Sequence, residues 1–361
     1  MADPKPEISL QLLREKIDQI DLEILRLLNA RARAAGEIGT LKTGVLYRPE
    51  REAQVLRRAR ELNPGPLGND TVAFLFREIM SACLAFERPI TVACLGPSGT
   101  YSEAAAVRQF GHAATTLSCA TLDDVFRVTE TGKADFAVVP VENSTEGAVG
   151  HALDLMIETP LKVCGEIQLR IRHQLLAEPG VTELKDIARV FSHSQSLGQC
   201  QHWLNAYLPQ AERLAVSSNA EAARLAAQQP GSAAIAGELA GERYGLSVLY
   251  ANIEDEATNT TRFLVLGPEL PGPSGHDKTS LVLAARNRPG AIHELLTPLA
   301  ACGVSMTRLE SRPSRTALWE YVFFVDVEGH QQDSAVATAI RALEEKALFC
   351  KVLGSYPVAA L

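Results

Sequence analysis

Near the start of the chain the apolar residues Leu10, Leu13, Ile17, Ile20, Ile24 and Leu27, then Ala34, Ile38 and Leu41, step alternately by three and four. That spacing predicts one long helix with a coiled-coil-like seam. Ser9 can cap its start, Pro49 suits the first turn of a second helix ending near Asn63-Pro64-Gly65, and Asp70 precedes a third running to Phe86. Three helices of such unequal length bury their faces poorly alone, so a second chain is expected beside them. The seam holds one misfit: four residues beyond Leu27 stands Arg31. A buried charge without a partner is costly. Either Arg31 snorkels or pairs with Glu37 or a third-helix carboxylate, or the seam opens into an anion pocket. Arg31 and Lys42 lie about three turns apart on one side, roughly 16 Å along the axis, close enough to bracket a small dianion. Arg14 is roughly 42 Å from Lys42 in a straight helix and could join one small-ligand site only from a second chain.

Two breaks divide the rest of the 361 residues: Glu87-Arg88-Pro89, and a turn-former cluster over residues 267–275. The expected units are residues 1–89, 90–270 and 277–361. The middle unit alternates β-rich runs (Ile90–Leu95, Phe136–Val141, Arg189–Ser192, Ala233–Ala236, Phe263–Leu266) with Ala-rich helical stretches, an α/β pattern in two lobes. The last reads strand, helix, strand, strand, helix, strand, the ferredoxin-like βαββαβ order. Net charge is −8, and residues 1–88 hold 14 Lys+Arg against 13 Asp+Glu, leaving 21 against 30 elsewhere. An acidic bulk argues against nucleic acid as a partner. No apolar run reaches a membrane span and the first residues lack a signal-peptide stretch, so a cytoplasmic location is expected. Seven cysteines without a Cys-x-x-Cys pair suggest neither a disulfide framework nor a zinc site, and no metal or cofactor is expected.

The stretches Leu12-Leu13-Arg14-Glu15-Lys16-Ile17-Asp18, Asn29-Ala30-Arg31, Lys42, Tyr47-Arg48-Pro49-Glu50-Arg51-Glu52 and the run from Glu78 to Glu87 closely resemble the all-helical chorismate mutase family. The resemblance implies a domain-swapped homodimer in which Arg14 of one chain and Arg31 of the other hold chorismate's carboxylates. It also implies contacts of Lys42 and Glu87 with the ether oxygen and of Glu52 with the ring hydroxyl. Arg48 and Cys83 stand where the family often has a carboxylate and a hydroxyl. A pericyclic rearrangement to prephenate needs no nucleophile, only a compact conformer and charge stabilisation at the breaking bond.

Four polar loops follow strands in the middle unit: Gly96-Pro97-Ser98-Gly99-Thr100-Tyr101-Ser102-Glu103, Pro140 to Gly147, Ser192 to Cys200, and Asn259-Thr260-Thr261-Arg262-Phe263. Four such loops point to a ligand cleft. Together they resemble prephenate dehydratase, most specifically at Thr261-Arg262-Phe263. That resemblance implies loss of carbon dioxide and water from prephenate to give phenylpyruvate, with Thr261 most closely tied to catalysis. Glu142, Asn143, Ser192 and Gln199 would line the cleft, with the Gly99-Thr100 backbone and Arg262 as carboxylate contacts. Thr261 either donates a proton, relays one from Glu142 or water, or only hydrogen-bonds the leaving group. His193 is either a general acid or a helix cap and ranks below Thr261.

In the last unit, Arg288-Pro289-Gly290-Ala291-Ile292 and Glu310-Ser311-Arg312-Pro313 resemble the ACT regulatory domain of prephenate dehydratases. The resemblance implies phenylalanine bound between paired domains, held near Gly290, Ala291 and Ile292 and bordered by Glu310, Ser311 and Arg312. The whole chain thus reads as a cofactor-free bifunctional enzyme under phenylalanine feedback. A two-lobed solute binder without catalysis and a DNA-reading regulator are the rivals; the cation in the seam disfavours the first and the near-neutral helical unit the second.

Overall fold

The computed structural model describes residues 10–41, 47–285, 288–314 and 321–359; Ser9 and Lys42 lie outside them. Helices α1 (Leu10–Leu41), α2 (Pro49–Glu61) and α3 (Asn69–Glu87) come first. At about 1.5 Å per residue, α1 is roughly 48 Å long and has no buried residue. Pro49 opens α2, as its fixed φ and missing N–H favour. Gly39 lets α3 approach α1, since a Cβ there would meet Glu87 Oε2 at 2.8 Å.

A first α/β lobe contains β1 (Thr91–Leu95), α4 (Tyr101–Phe110), β2 (Thr115–Cys119), α5 (Leu122–Glu130), β3 (Phe136–Asn143), β4 (Gly147–Ala148), α6 (Gly150–Glu158) and β5 (Lys162–Arg170). The second lobe follows with β6 (Gln174–Ala177), β7 (Arg189–His193), α7 (Ser194–Gln199), α8 (Gln201–Tyr207), β8 (Glu212–Val216), α9 (Asn219–Ala226), β9 (Ser232–Ala236), α10 (Glu238–Tyr244) and β10 (Ser247–Tyr250). The chain then returns to the first lobe as β11 (Thr260–Gly267). The sheets run β2-β1-β3-β11-β5 and β10-β6-β9-β7-β8, so the lobes are joined by two crossings, at residues 171–173 and 251–259. The crossings are hydrogen-bonded across: Ile171 N–H donates to Asn259 O (2.8 Å) and Ile253 N–H to His173 O (2.9 Å). Strands β2, β4, β5, β6, β8 and β10 escape the sequence reading; β2 and β8 lie at sheet edges with half-exposed residues that blur any alternation.

The last unit is a ferredoxin-like sheet, β13-β14-β12-β15, formed by β12 (Asp277–Ala284), β13 (Met306–Pro313), β14 (Tyr321–Glu328) and β15 (Phe349–Pro357). One face packs on α11 (Ala291–Ala301) and α12 (Ser334–Lys346) through Leu281, Leu283, Phe323 and Val325. The other shares a core with the first lobe, where Val282, Phe324, Leu353 and Tyr356 meet Val139, Val163, Leu264 and Leu266. The helical unit docks elsewhere on that lobe: the Tyr47 ring lies 4.9 Å from Phe110 and 5.3 Å from Phe136.

Gly354 permits the sheet-to-sheet approach, because a Cβ there would stand 2.1 Å from Val163 O on β5. Backbone cannot yield as a side chain does. Gly354→Ala is expected to destabilise the chain by about 1–3 kcal/mol or more and to sensitise residues 268–276 to limited proteolysis; unchanged denaturant midpoint and cleavage would contradict the tight approach.

Candidate active sites

Strand alternation builds a candidate site between the two lobes. On β3 and β11, Asn143 pairs with Thr261 and Glu142 with Arg262, so each pair occupies its own sheet face. Asn143 Nδ2 donates to the Thr261 hydroxyl (2.8 Å) and to Asn259 Oδ1 (2.9 Å). The amide's orientation is fixed because Asn143 Oδ1 accepts from Thr145 N–H (3.0 Å), Thr145 Oγ1 (2.6 Å) and Glu146 N–H (3.2 Å). Thr261 is almost buried, and its oxygen accepts while its own proton has no acceptor among the described residues. Accepting that bond polarises the hydroxyl as a donor.

Gln199, from the second lobe, completes the circuit: its Oε1 accepts from Asn259 Nδ2 (3.1 Å) and lies 2.9 Å from His173 Nε2, while its Nε2 donates to Thr145 Oγ1 (3.2 Å). An acceptor oxygen opposite Nε2 puts the imidazole proton there, leaving Nδ1 to face the Tyr101 hydroxyl at 2.8 Å. His173 is buried, and burial lowers its pKa, outweighing the Gln199 hydrogen bond that raises it. Sequence reasoning missed His173 and Tyr101 as site residues. Their signal lies in the crossing between lobes, which no local pattern announces.

Several assignments need correction. Arg262 faces away from the cleft: its Nε donates to Glu166 (3.0 Å), Nη1 to Asp326 (2.6 Å) and Nη2 to the Tyr356 hydroxyl (3.0 Å), so it is no carboxylate contact in the cleft. Glu142 shares that face and accepts from Arg308 Nε at 2.6 Å, which removes it as a proton relay to Thr261. Ser192 is fully buried, its hydroxyl donating to Ile235 O (2.8 Å) and Asn219 Oδ1 (3.0 Å), and ties β7 to β9 and the start of α9 rather than lining the cleft. The Gly99 amide donates to Glu103, and Thr100 caps α4 by accepting from Glu103 N–H. Burial opposes the charge on Glu103, but Gly99, Ser98, Thr116 and Arg243 donate to it and hold its pKa below the ordinary value. His193 caps α7, its Nδ1 accepting from Gln195 N–H at 3.4 Å.

In the ferredoxin-like unit Gly290 sits at φ +78° where α11 begins, with Ala291 following and Ile292 exposed. Arg308, Glu310 and Arg312 share the face of β13 turned to the first lobe, and Arg312 pairs with Asp154 at 3.0 Å. Ser311 lies on the opposite face of the strand, so the three residues expected to border a phenylalanine site are divided between the two faces of β13.

In the helical unit neither Arg14 nor Arg31 has an ion pair among the described residues, which removes the pairing of Arg31 with Glu37. Glu87 Oε2 is buried without a hydrogen bond, against α1 at Gly39, and Cys83 lies one turn before it, buried. Arg48 is half-exposed, 3.9 Å from Glu50. Glu52 departs from expectation: it faces the two-lobed and ferredoxin-like units in a small cleft with Gln109, Glu166 and Pro357, its Oε1 3.5 Å from Arg77 Nε. Its assigned contact with a substrate hydroxyl therefore has no support from its placement. Among the described residues no helix is long and apolar enough to cross a membrane, and no three His, Cys, Asp or Glu cluster as metal ligands.

Three family profiles match consecutive stretches: Chorismate mutase type II over residues 13–88, Prephenate dehydratase over 92–270 and the ACT domain over 279–345. A bifunctional chorismate mutase/prephenate dehydratase of Neisseria gonorrhoeae is 58% identical over 352 residues, 96% of this chain and 97% of the relative. Among solved structures, prephenate dehydratase from Arthrobacter aurescens in complex with L-Phe is 37% identical, with TM-score 0.68 over 74% of this chain and 90% of that one. A structure described as a novel type of quorum quenching acylase is 32% identical, with TM-score 0.69 over 74% and 98%. Fold and site thus define an enzyme with a helical mutase unit, a two-lobed dehydratase and an ACT unit. The chain belongs to the family of bifunctional chorismate mutase/prephenate dehydratases.

Burial raises the Glu52 pKa to about 7, against the lowering influence of Arg77. A carboxyl held protonated by the fold costs nothing below its ordinary pKa of 4.5, and stability declines as pH rises from there to about 7. The decline is on the order of 3 kcal/mol. Glu52→Gln is expected to match the parent near pH 5 and exceed it near pH 8 in denaturant unfolding; parallel pH profiles would show that Glu52 ionises freely.

Proposed function

We propose that the chain converts chorismate to prephenate in its helical unit, residues 1–89, and prephenate to phenylpyruvate in residues 90–270. Phenylalanine would act as inhibitor through residues 277–361. The observation that carries the dehydratase assignment is the Thr261 hydroxyl, its oxygen engaged by Asn143 and its proton uncommitted at the junction of the lobes. In this reading Thr261 donates a hydrogen bond to the ring hydroxyl as it departs, and that hydroxyl leaves as water with a proton taken from solvent. The electron pair of the breaking C–CO2 bond enters the ring, which becomes aromatic. Asn143 and Gln199 orient the site, and His173 holds Gln199. No metal or cofactor has a step to perform. The Arthrobacter relative in complex with L-Phe supports the inhibitor assignment.

The mutase assignment implies a homodimer. Along α1, Leu13, Ile17, Ile20, Ile24 and Leu27 are each 45–56% exposed, a continuous apolar stripe of the kind a second copy covers. Arg14 and Arg31 are about 26 Å apart along one straight helix, too far to grip one chorismate, so Arg14 comes from the partner chain. A cytoplasmic setting fits such biosynthetic chemistry.

Given chorismate alone, the purified chain is expected to form phenylpyruvate. Thr261→Ala should lower dehydratase turnover by roughly 100-fold or more, so that prephenate accumulates while mutase turnover persists; phenylpyruvate formed at the parent rate would remove Thr261 from the chemistry. Arg14→Ala and Arg31→Ala should each abolish mutase activity, and subunit exchange between them should restore part of it. No recovery after demonstrated exchange would exclude a shared site.

A further inference from the structure

The sheet face behind the dehydratase site carries charges that the chemistry does not use. We propose that Arg262 is a positioning residue for the dehydratase reaction, and that the ACT sheet supplies the socket fixing it and thereby the direction of the Thr261 hydroxyl. The proposal rests on the reading of Thr261 given above. Arg262 follows Thr261 on β11 and points to the opposite face, so whatever pins its guanidinium pins the strand rotation that aims Thr261 at the cleft. The ladder is interrupted here on one of its two sides, while the register with β5 runs unbroken from Thr260 to Val265. Between Arg262 and Phe263 the register with β3 slips, Phe263 facing Pro140 and Arg262 facing Glu142, so Val141 is left over as a bulge.

The socket takes up every side of the guanidinium. Glu166 comes from β5 in the dehydratase itself, whereas Asp326 on β14 and Tyr356 on β15 belong to the ACT sheet. Glu166 also accepts from Lys278 Nζ on β12 at 2.9 Å, and the Ser280 hydroxyl lies 2.5 Å from Asp326 Oδ1 and 2.6 Å from the Tyr356 oxygen. Two cations and two anions are balanced there, all at least 87% buried. Charges so enclosed hold one geometry, because leaving either partner unpaired is costly. The front partner of Thr261 has a more exposed tie to the same sheet: Asn143 follows Glu142, and Glu142, 39% exposed, accepts from Arg308 of β13. Both side chains of the catalytic pair thus have their chain neighbours fixed by the ACT unit.

The test uses the full-length chain with Arg262→Lys, Arg262→Met, Asp326→Asn and Tyr356→Phe. Lys351→Gln serves as control, since it removes bonds from Lys351 Nζ to the carbonyls of Met156, Ile157 and Thr159 at a different part of the same interface. Mutase turnover reports folding of the helical unit in each, and circular dichroism reports folding of the other two units. Misaiming of one reacting group predicts dehydratase kcat lower by roughly 10- to 100-fold in Arg262→Met and Asp326→Asn, with KM changed by less than about twofold. Arg262→Lys should recover part of kcat and Tyr356→Phe lose least. Undiminished kcat in Arg262→Met and Asp326→Asn would overturn the proposal, and so would an equal loss in Lys351→Gln, which would reduce the effect to loosened docking. If the Arg262 variants do not fold, Asp326→Asn and Tyr356→Phe decide alone. Thr261→Ala in the same assay separates the two levels: full activity there would sink the reading of Thr261, whereas loss there with active Asp326→Asn and Arg262→Met would sink only the socket.

Discussion

The period of a β-strand governs the dehydratase unit. Thr261 and Asn143 can face the cleft only if Arg262 and Glu142 face the other way, and that other way leads into the ACT sheet. The back of the sheet is therefore a mixed layer. Apolar contacts of Val282, Phe324 and Leu353 with Leu264 and Leu266 surround an island of charge at Arg262. Removing one partner of such a buried pair typically costs about 3–5 kcal/mol, which makes the relative position of the two sheets strongly specified.

The cleft side is organised by amides and hydroxyls instead. Asn143, Asn259 and Gln199 form a chain of neutral hydrogen bonds from Thr261 to His173, touching both lobes and both crossings. Neutral donors suit a reaction that expels carbon dioxide and water and ends in an aromatic ring, since a full positive charge beside the departing carboxylate would hold it back. The cations Arg262, Lys278 and Arg308, by contrast, are paired behind the sheet.

Helix α1 was legible in the sequence because its periodicity is a property of the helix alone; Pro49 at the start of α2 and the βαββαβ order were legible for the same local reason. The four polar loops were legible as strand ends, but which of their side chains enters the cleft was not. Glu142 and Asn143 look alike in sequence, and so do Thr261 and Arg262; the register and the bulge at Val141 separate them. Glu52 illustrates the same limit in a helix, where docking of α2 against Gln109 and Pro357 decides which flank is buried. His173 carried no local signal at all, since its burial arises from two distant crossings bonded to one another.

The attachments of the outer units to the dehydratase differ in kind. The helical unit is joined by the aromatic packing of Tyr47 with Phe110 and Phe136, by surface contacts such as His112 with Glu78, and by Glu52 in a small cleft with Glu166 and Pro357, none of which touches Thr261. Its own candidate groups, Arg14, Arg31 and Glu87, lie on α1 and α3, outside the hydrogen-bond circuit of the cleft. The ACT unit, in contrast, shares charges with the residues flanking Asn143 and Thr261. An effector can change catalysis only through a difference in its affinity between two arrangements of the protein. A shift of β13 or β14 against the first lobe would alter Arg308 and Asp326 together, and so move the back of the β3–β11 strand pair, whereas a comparable shift of α1 would leave that pair untouched.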